Sequence, residues 1–214
     1  MRVRLAGVRR AVIVAPHPDD EVIGAAGLIA ALKRQGSDVR VIVVSDGAAS
    51  HPGSTRWPRR RLVAARRQES LRALRRLAVP PRRVTFFGLP DGALAGEGAS
   101  CRRALHRLLA RHVADLLVGP AAGDAHPDHQ AVATALAQWR GRARRLSYQV
   151  WPPRRRSAAR VRTVVTCGLA KRSLIRLHRT QLGAITDDPT GFAIARHELA
   201  VFAHPIERFV EERR

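Results

Sequence analysis

Apolar and polar positions along this chain fall into blocks of two kinds. Residues 11 to 15, AVIVA, are a continuous apolar run rich in β-branched side chains and bounded by Pro16, the pattern of a strand covered on both faces. From Val22 to Gln35 the composition shifts to Ala, Leu, Ile and Lys, with Gly36 standing where a helix would end. VRVIVV at 39–44 repeats the strand pattern. A helix is expected over about 60–77, where Leu71, Leu74 and Ala78 recur at three- and four-residue spacing, and a third strand over VTFF at 84–87. A helix at about 101–112, a strand at 115–118 and a helix opening at Pro127 continue the series. Strands at 145–151 and 161–166 and a helix at 169–180 follow, and the tail, DDPTG through HELAVFAHPIERFVEE, reads as short helical segments. This succession predicts an α/β fold with a mostly parallel sheet, right-handed crossovers and helices on both faces, in a single domain spanning 1–214. Ligand sites in such folds lie beyond the carboxyl ends of the strands, and the polar motifs of this chain fall there.

Composition narrows the function classes. The mixture of 45% hydrophobic and 26% charged residues is that of a globular protein and excludes a disordered or fibrous chain. The longest apolar stretch, Val22 to Leu32, is 11 residues including glycines, against about 18 for a membrane span. The N-terminal MRVRLAGVRR lacks the apolar core of a secretory leader, so a cytoplasmic location is expected. Cys101 and Cys167 form no metal or disulfide pattern and read as small, at least partly buried side chains. Charge is the unusual bulk property: 39 Lys and Arg against 17 Asp and Glu give +22. The arginines concentrate in 53–83 and 140–179, the latter including the run PPRRRSAA, and the aromatic interleaving of a base-stacking surface is missing from both. The surplus suggests an anionic small molecule more than a specific nucleic-acid partner.

Two motifs carry candidate chemistry. HPDDE, His17 to Glu21, joins the first strand to its helix. Acids at a helix start can serve as plain capping groups. A histidine with three consecutive acids at the end of a buried strand exceeds that need, because desolvation opposes their ionisation unless a cation compensates. HPDH places His126 and His129 one helical turn apart after the fourth strand. Loops after different parallel strands converge on one edge, so His17, Asp20 and one of the HPDH histidines would form a three-ligand set with an open position for water.

Taken with VIVVSDG, RRQES and FFGLPDG in the same order, these motifs resemble the LmbE/PIG-L family of zinc-dependent deacetylases over nearly the whole chain. The resemblance implies a Rossmann-like three-layer fold and hydrolysis of N-acetyl groups, mostly on N-acetylglucosamine-containing molecules. It assigns Zn2+ to His17, Asp20 and His129, with iron or cobalt able to use the same ligands. It makes Asp19 the general base and His126 the group that stabilises the oxyanion and protonates the leaving amine. Asp128 is then expected to orient His126 and raise its pKa.

Further positions follow from the same likeness. Asp46 would orient a ligand or water, Arg66 or Arg67 would face substrate, Glu69 would pair with such an arginine, and Asp91 would contact a substrate hydroxyl. For Asp46 and Asp91 ordinary turn chemistry is the bland alternative. Lys171 and His178 match the family's lysine-and-histidine stretch, whereas Thr180-Gln181 departs from its usual serine-glutamine. His51, His106, His112, His197 and His204 are expected at surfaces or helix ends. The leading function is therefore removal of an N-acetyl or other N-acyl group from an amino-sugar-containing substrate. A thiol-conjugate amidase or natural-product deacylase with the same metal centre is one alternative, and a basic nucleic-acid-binding module is another, which would leave HPDDE unexplained. A dinucleotide-binding oxidoreductase is disfavoured, since the first strand leads into carboxylates where a glycine-rich phosphate loop would stand.

Overall fold

The computed structural model describes residues 2–152, 161–165 and 168–212; the arginines at 154–160 and Cys167 lie outside them. The chain runs β1 (Arg10–Ala15), α1 (Asp20–Arg34), β2 (Asp38–Ser45), α2 (Arg59–Arg76), β3 (Val84–Leu89), α3 (Gly98–Arg111), β4 (Leu116–Pro120) and α4 (Pro127–Ala137). It continues through β5 (Arg144–Tyr148), β6 (Val161–Val165), α5 (Gly168–Ile175), α6 (Arg196–Phe202) and β7 (Ile206–Glu212). These strands form a seven-stranded sheet of order β3-β2-β1-β4-β5-β7-β6. Pairing from β3 to β5 is parallel, and β7 runs antiparallel between β5 and β6.

The apolar runs explain the layers. In β1, Ile13 and Ala15 point into one core with α1, α2 and α5, while Val12 and Val14 point into a second core with α3 and α4. Both faces of the strand are thus buried, which is why it reads as an uninterrupted hydrophobic run and not as an alternation. The chain builds outward from β1 through β2 to β3 and then returns to lay β4 on the other side of β1. That reversal opens a crevice between the loops after β1 and β4, the loops that carry HPDDE and HPDH.

The tail differs from the helical reading. Only Arg196–Phe202 is helical there, and Ile206–Glu212 is strand β7. Its inward positions are Glu207 and Phe209 and its outward ones include Ile206, so the usual apolar-in alternation is inverted at its first residues. The helix expected over 169–180 also stops at Ile175.

Glu207 is buried because α1 needs it. That helix is broken at Ala25, with φ −145° and ψ 15°, so Gly27 and Leu28 fall in the first turn of its second half. Glu207 accepts from Gly27 N at Oε1, 2.9 Å, and from Leu28 N at Oε2, 3.0 Å, and Lys171 Nζ lies 3.0 Å from the same Oε1. Beside the break, Gly24 packs against the ring of the buried Tyr148, leaving no room for a Cβ, and the Tyr148 hydroxyl donates to Val14 O at 2.9 Å. The start of α1, and with it HPDDE, is held from strands on the far side of the sheet.

Glu207→Ala should therefore cost about 3–5 kcal/mol in urea unfolding, because it leaves the buried Lys171 ammonium and two amides without partners. Adding Lys171→Met should restore part of that loss; a single-variant cost below about 1 kcal/mol would show that the pair does not hold the broken helix.

Candidate metal centre

His17 follows β1, Asp20 opens α1, and His129 lies in the first turn of α4. All three are buried. Their side-chain atoms close a small triangle: His17 Nδ1 to Asp20 Oδ2 is 3.0 Å, His129 Nε2 to Asp20 Oδ2 is 3.1 Å, and His129 Nε2 to His17 Nδ1 is 3.3 Å. These edges are close to the roughly 3.4 Å expected between ligand atoms about 2.1 Å from a tetrahedral zinc. A second group, His17, His126 and Asp128, also brings its ligand atoms within 4.8 Å of one another. In that group the Asp128 carboxylate already accepts from Gly92 N at 2.8 Å and Leu94 N at 3.0 Å. The first triangle is the better donor set.

The far side of each imidazole is held by carboxylate. His17 Nε2 lies 3.1 Å from Asp91 Oδ1 and 3.2 Å from Asp128 Oδ2, and His129 Nδ1 lies 3.2 Å from Asp124 Oδ2. Such outer partners fix ring orientation and make the inward nitrogen a stronger donor. Asp124 is a residue that the sequence reading passed over. Fully buried, it also accepts from His126 N at 3.0 Å, Val150 N at 2.9 Å and Trp151 N at 3.1 Å. Its only sequence signal is a position two residues before HPDH in a Gly-Asp pair, which reads as a turn.

Electrostatics follow from this crowding. Burial alone would lower both imidazole pKa values, yet the surrounding carboxylates raise His17 well above its ordinary value and His129 to about 9. Burial also opposes ionisation of Asp20, but His129 and His17 outweigh it and hold its carboxyl well below the usual range. The field that stabilises positive imidazoles is one that attracts a cation.

Asp19, immediately before α1, has φ 141° and ψ −28°, a conformation that a side chain-bearing residue adopts at a cost of about 1–3 kcal/mol. Its carboxylate meets Arg66 Nη2 at 3.3 Å and stands apart from the triangle's bonds. Burial, reinforced by Asp20 against the pull of Arg66, lifts its pKa to about 8. Arg66 also donates to Gly47 O at 2.8 Å and Pro18 O at 2.9 Å, and it lines the cavity. Arg67 turns away, its guanidinium 5.3 Å above the Phe86 ring, so Arg66 is the inward member of the pair.

Several expectations change. Asp128 does not orient His126 through its carboxylate, which is engaged by His17 and two amides. Instead the Asp128 backbone N–H donates to His126 Nδ1 at 3.1 Å. The His126 pKa is lowered, first by burial and then by His17 and His129, over the opposing pull of Asp128 and Asp20. A neutral ring that accepts at Nδ1 carries its proton on Nε2. Asp91 sits against His17, and Asp46 accepts from Ala48 N at 3.0 Å, closing its own turn, and contacts Arg59. Glu69 accepts from Thr180 N at 3.0 Å and Thr180 Oγ1 at 2.6 Å, so its hydrogen bonds go to Thr180. Lys171 belongs to the Glu207 pair. His51 is buried, not at the surface, with Gly191 packed on its ring.

His17, Asp19, Asp20, Arg66, Asp91 and His126 share one cavity of about 220 Å³. The family model for GlcNAc-PI de-N-acetylases, PIG-L, matches residues 12–140, which include both motifs. The chain belongs to the PIG-L family. Three solved structures similar to this PIG-L member bear out the fold. A conserved protein from Thermus thermophilus is 19% identical over 96% of this chain and 95% of its own, with a TM-score of 0.71. N,N'-diacetylchitobiose deacetylase from Pyrococcus horikoshii is 22% identical over 83% and 72%, with a TM-score of 0.69. The A40926 pseudoaglycone deacetylase is 21% identical over 95% and 96%, also at 0.69. No curated protein matches the sequence. Among the described residues, no helix is long and apolar enough to cross a membrane.

Two outcomes test this geometry without reference to turnover. Asp124→Ala strips partners from three amides and a buried ring, and should lower unfolding free energy by about 3–5 kcal/mol; retention of wild-type stability would contradict its central place. His178 is fully buried with neither ring nitrogen partnered among the described residues, and burial lowers its pKa to about 3. Below about pH 6.5 the unfolded chain takes up a proton there that the folded chain refuses until about pH 3, so this group removes stability as pH falls. Between pH 6 and 4 His178→Asn should lose stability less steeply than wild type, by up to about 1.4 kcal/mol per pH unit; parallel curves would refute the assignment.

Proposed function

We propose that this PIG-L family member is a metal-dependent hydrolase that removes an N-acetyl or other N-acyl group from an amino-sugar-containing substrate, with Zn2+ held by His17, Asp20 and His129. The observation that carries the reading is the triangle of two imidazole nitrogens and one carboxylate oxygen, edges 3.0–3.3 Å, opening into a cavity that Asp19 and His126 also line. Two nitrogens and one oxygen suit a zinc site that keeps an open position. When bound, the ion would supply Lewis acidity to the amide carbonyl and to the attacking water.

The chain's own residues supply the proton transfers. Asp19, held by Arg66, takes a proton from the attacking water as the C–O bond forms. His126, with its proton on Nε2, donates a hydrogen bond to the carbonyl oxygen as negative charge develops there. It does this as a neutral ring, because burial and then the nearby His17 and His129 lower its pKa. Asp19 then returns its proton to the leaving nitrogen as the C–N bond breaks, giving a carboxylic acid and a free amine. A basic nucleic-acid-binding module has no use for these converging donors. The amidase and natural-product deacylase alternatives share this chemistry and differ in the acyl pocket.

Elemental analysis should find near one zinc per chain in the purified protein, and His17→Ala and His129→Ala should each lose it while remaining folded. Full occupancy in both variants would overturn the ligand assignment. Asp19→Asn should keep the metal and lower acid release from acetylated amino-sugar glycosides by about 10²- to 10⁴-fold, the range for a positioned acid-base group. Near-normal turnover in that variant would remove Asp19 from the mechanism.

A further inference from the structure

The cavity has two unlike walls. One carries the aspartates, His17, His126 and Arg66; the other is Ile23, Val150, Trp151, Phe192, Ile194 and Phe202. Phe, Trp and Tyr make up only 4% of the chain, five Phe, three Trp and one Tyr, yet three of these rings meet at this wall. Trp151 stands edge to face with Phe192, ring centroids 5.8 Å apart, and with Phe202 at 5.5 Å. They come from the segment after β5, the loop before α6, and α6 itself, so no local periodicity assembles them.

The wall is held in place by backbone bonds. Val150 N and Trp151 N donate to Asp124 Oδ2, the oxygen that also lies 3.2 Å from His129 Nδ1, and Phe192 N donates to Ser50 O at 2.7 Å. One carboxylate thus fixes the spacing between the apolar rings and the donor triangle. Phe192 remains 37% exposed, among the few large apolar side chains left so in the described residues. A hydroxyl-rich sugar would need polar partners here. On this side Gln181 and Ser50 are polar, and they already bond each other at 3.3 Å. A cavity of about 150 Å³ lined by apolar groups accepts benzene, so a space of about 220 Å³ has room for a ring or short alkyl chain beside the reacting amide.

We propose that this wall is a subsite for an apolar group of the substrate, aryl or alkyl, attached to the scissile amide on its acyl or its amine side. The inference rests on the amide-hydrolase reading and goes beyond it by naming the substrate class: amphipathic N-acyl compounds in preference to small hydrophilic acetylated sugars. Covering Phe192 and Trp151 removes apolar surface from water and supplies ring contacts that a bare sugar cannot.

The test uses zinc-loaded full-length protein carrying Trp57→Phe and Trp139→Phe, which leaves Trp151 as the one indole. Its emission is followed during titration with N-acetylglucosamine, with phenyl N-acetyl-β-glucosaminide, whose aryl group is on the amine side, and with N-hexanoylglucosamine, whose alkyl chain is on the acyl side. Acid release is measured in parallel. At least one apolar compound should shift the emission and bind about tenfold or more tightly than N-acetylglucosamine, and Phe192→Ser should reduce that advantage to under about threefold. The compound that responds identifies the side of the amide that the wall serves. Equal binding of all three compounds, or an advantage that survives Phe192→Ser, would overturn the subsite. Tight apolar binding without acid release would leave the subsite standing and remove the hydrolase reading, whereas acid release without preference would do the reverse.

Discussion

Four buried aspartates and two buried histidines sit beneath one edge of the sheet, and the cost of desolvating them constrains everything around them. The charges are tolerable only because each ring nitrogen faces a carboxylate and the carboxylates face backbone amides. Asp128 is bound by Gly92 N and Leu94 N, Asp124 by His126, Val150 and Trp151 amides, and Asp19 by Arg66. The loops after β3, β4 and β5 are therefore shaped by the same network that aims His17 and His129 inward. Moving any one loop would expose an unpaired charge to a low-dielectric interior.

This arrangement divides labour between neighbouring residues of similar chemistry. Asp20 lies in the first helical turn and joins the triangle, whereas Asp19 is held one residue earlier in a strained conformation against Arg66. Two adjacent carboxylates thus have opposite pKa displacements, Asp20 pulled down by imidazoles and Asp19 raised to about 8 by burial. The two HPDH histidines differ likewise: His129 is backed by a carboxylate and His126 by a backbone N–H. Paired groups driven apart by their surroundings are the usual basis for assigning separate acid and base tasks.

Support for the site comes from the distant half of the sheet. Beyond the break in α1 at Ala25, the Gly27 and Leu28 amides donate to Glu207, which in turn pairs with Lys171. Strand β7, between β5 and β6, turns this charge inward, where it accepts from amides at the start of the second half of α1. A helix whose first turn presents Asp20 is thereby braced by residues about 180 positions away in sequence.

The strand and helix succession, the parallel sheet and the positions of HPDDE and HPDH were legible in the sequence because they depend on local periodicity and on one topological rule, that loops after parallel strands share an edge. His17, Asp20 and His129 do converge, as that rule requires. What tertiary structure decided was which partner each polar atom found. β7 was unreadable because Glu207 occupies its inward face, and that is sensible only beside a broken helix. Asp124 looked like a turn residue until the loop after β5 delivered Val150 and Trp151 to it. Asp128 met His17 across the β1–β4 crevice and not its neighbour His126, whose pKa burial and then His17 and His129 lower over the remaining pull of Asp128. Sequence spacing specifies which groups share a face of a helix or an end of a strand. Direction and protonation depend on contacts between segments a hundred residues apart, and those are set only when the sheet order and register are.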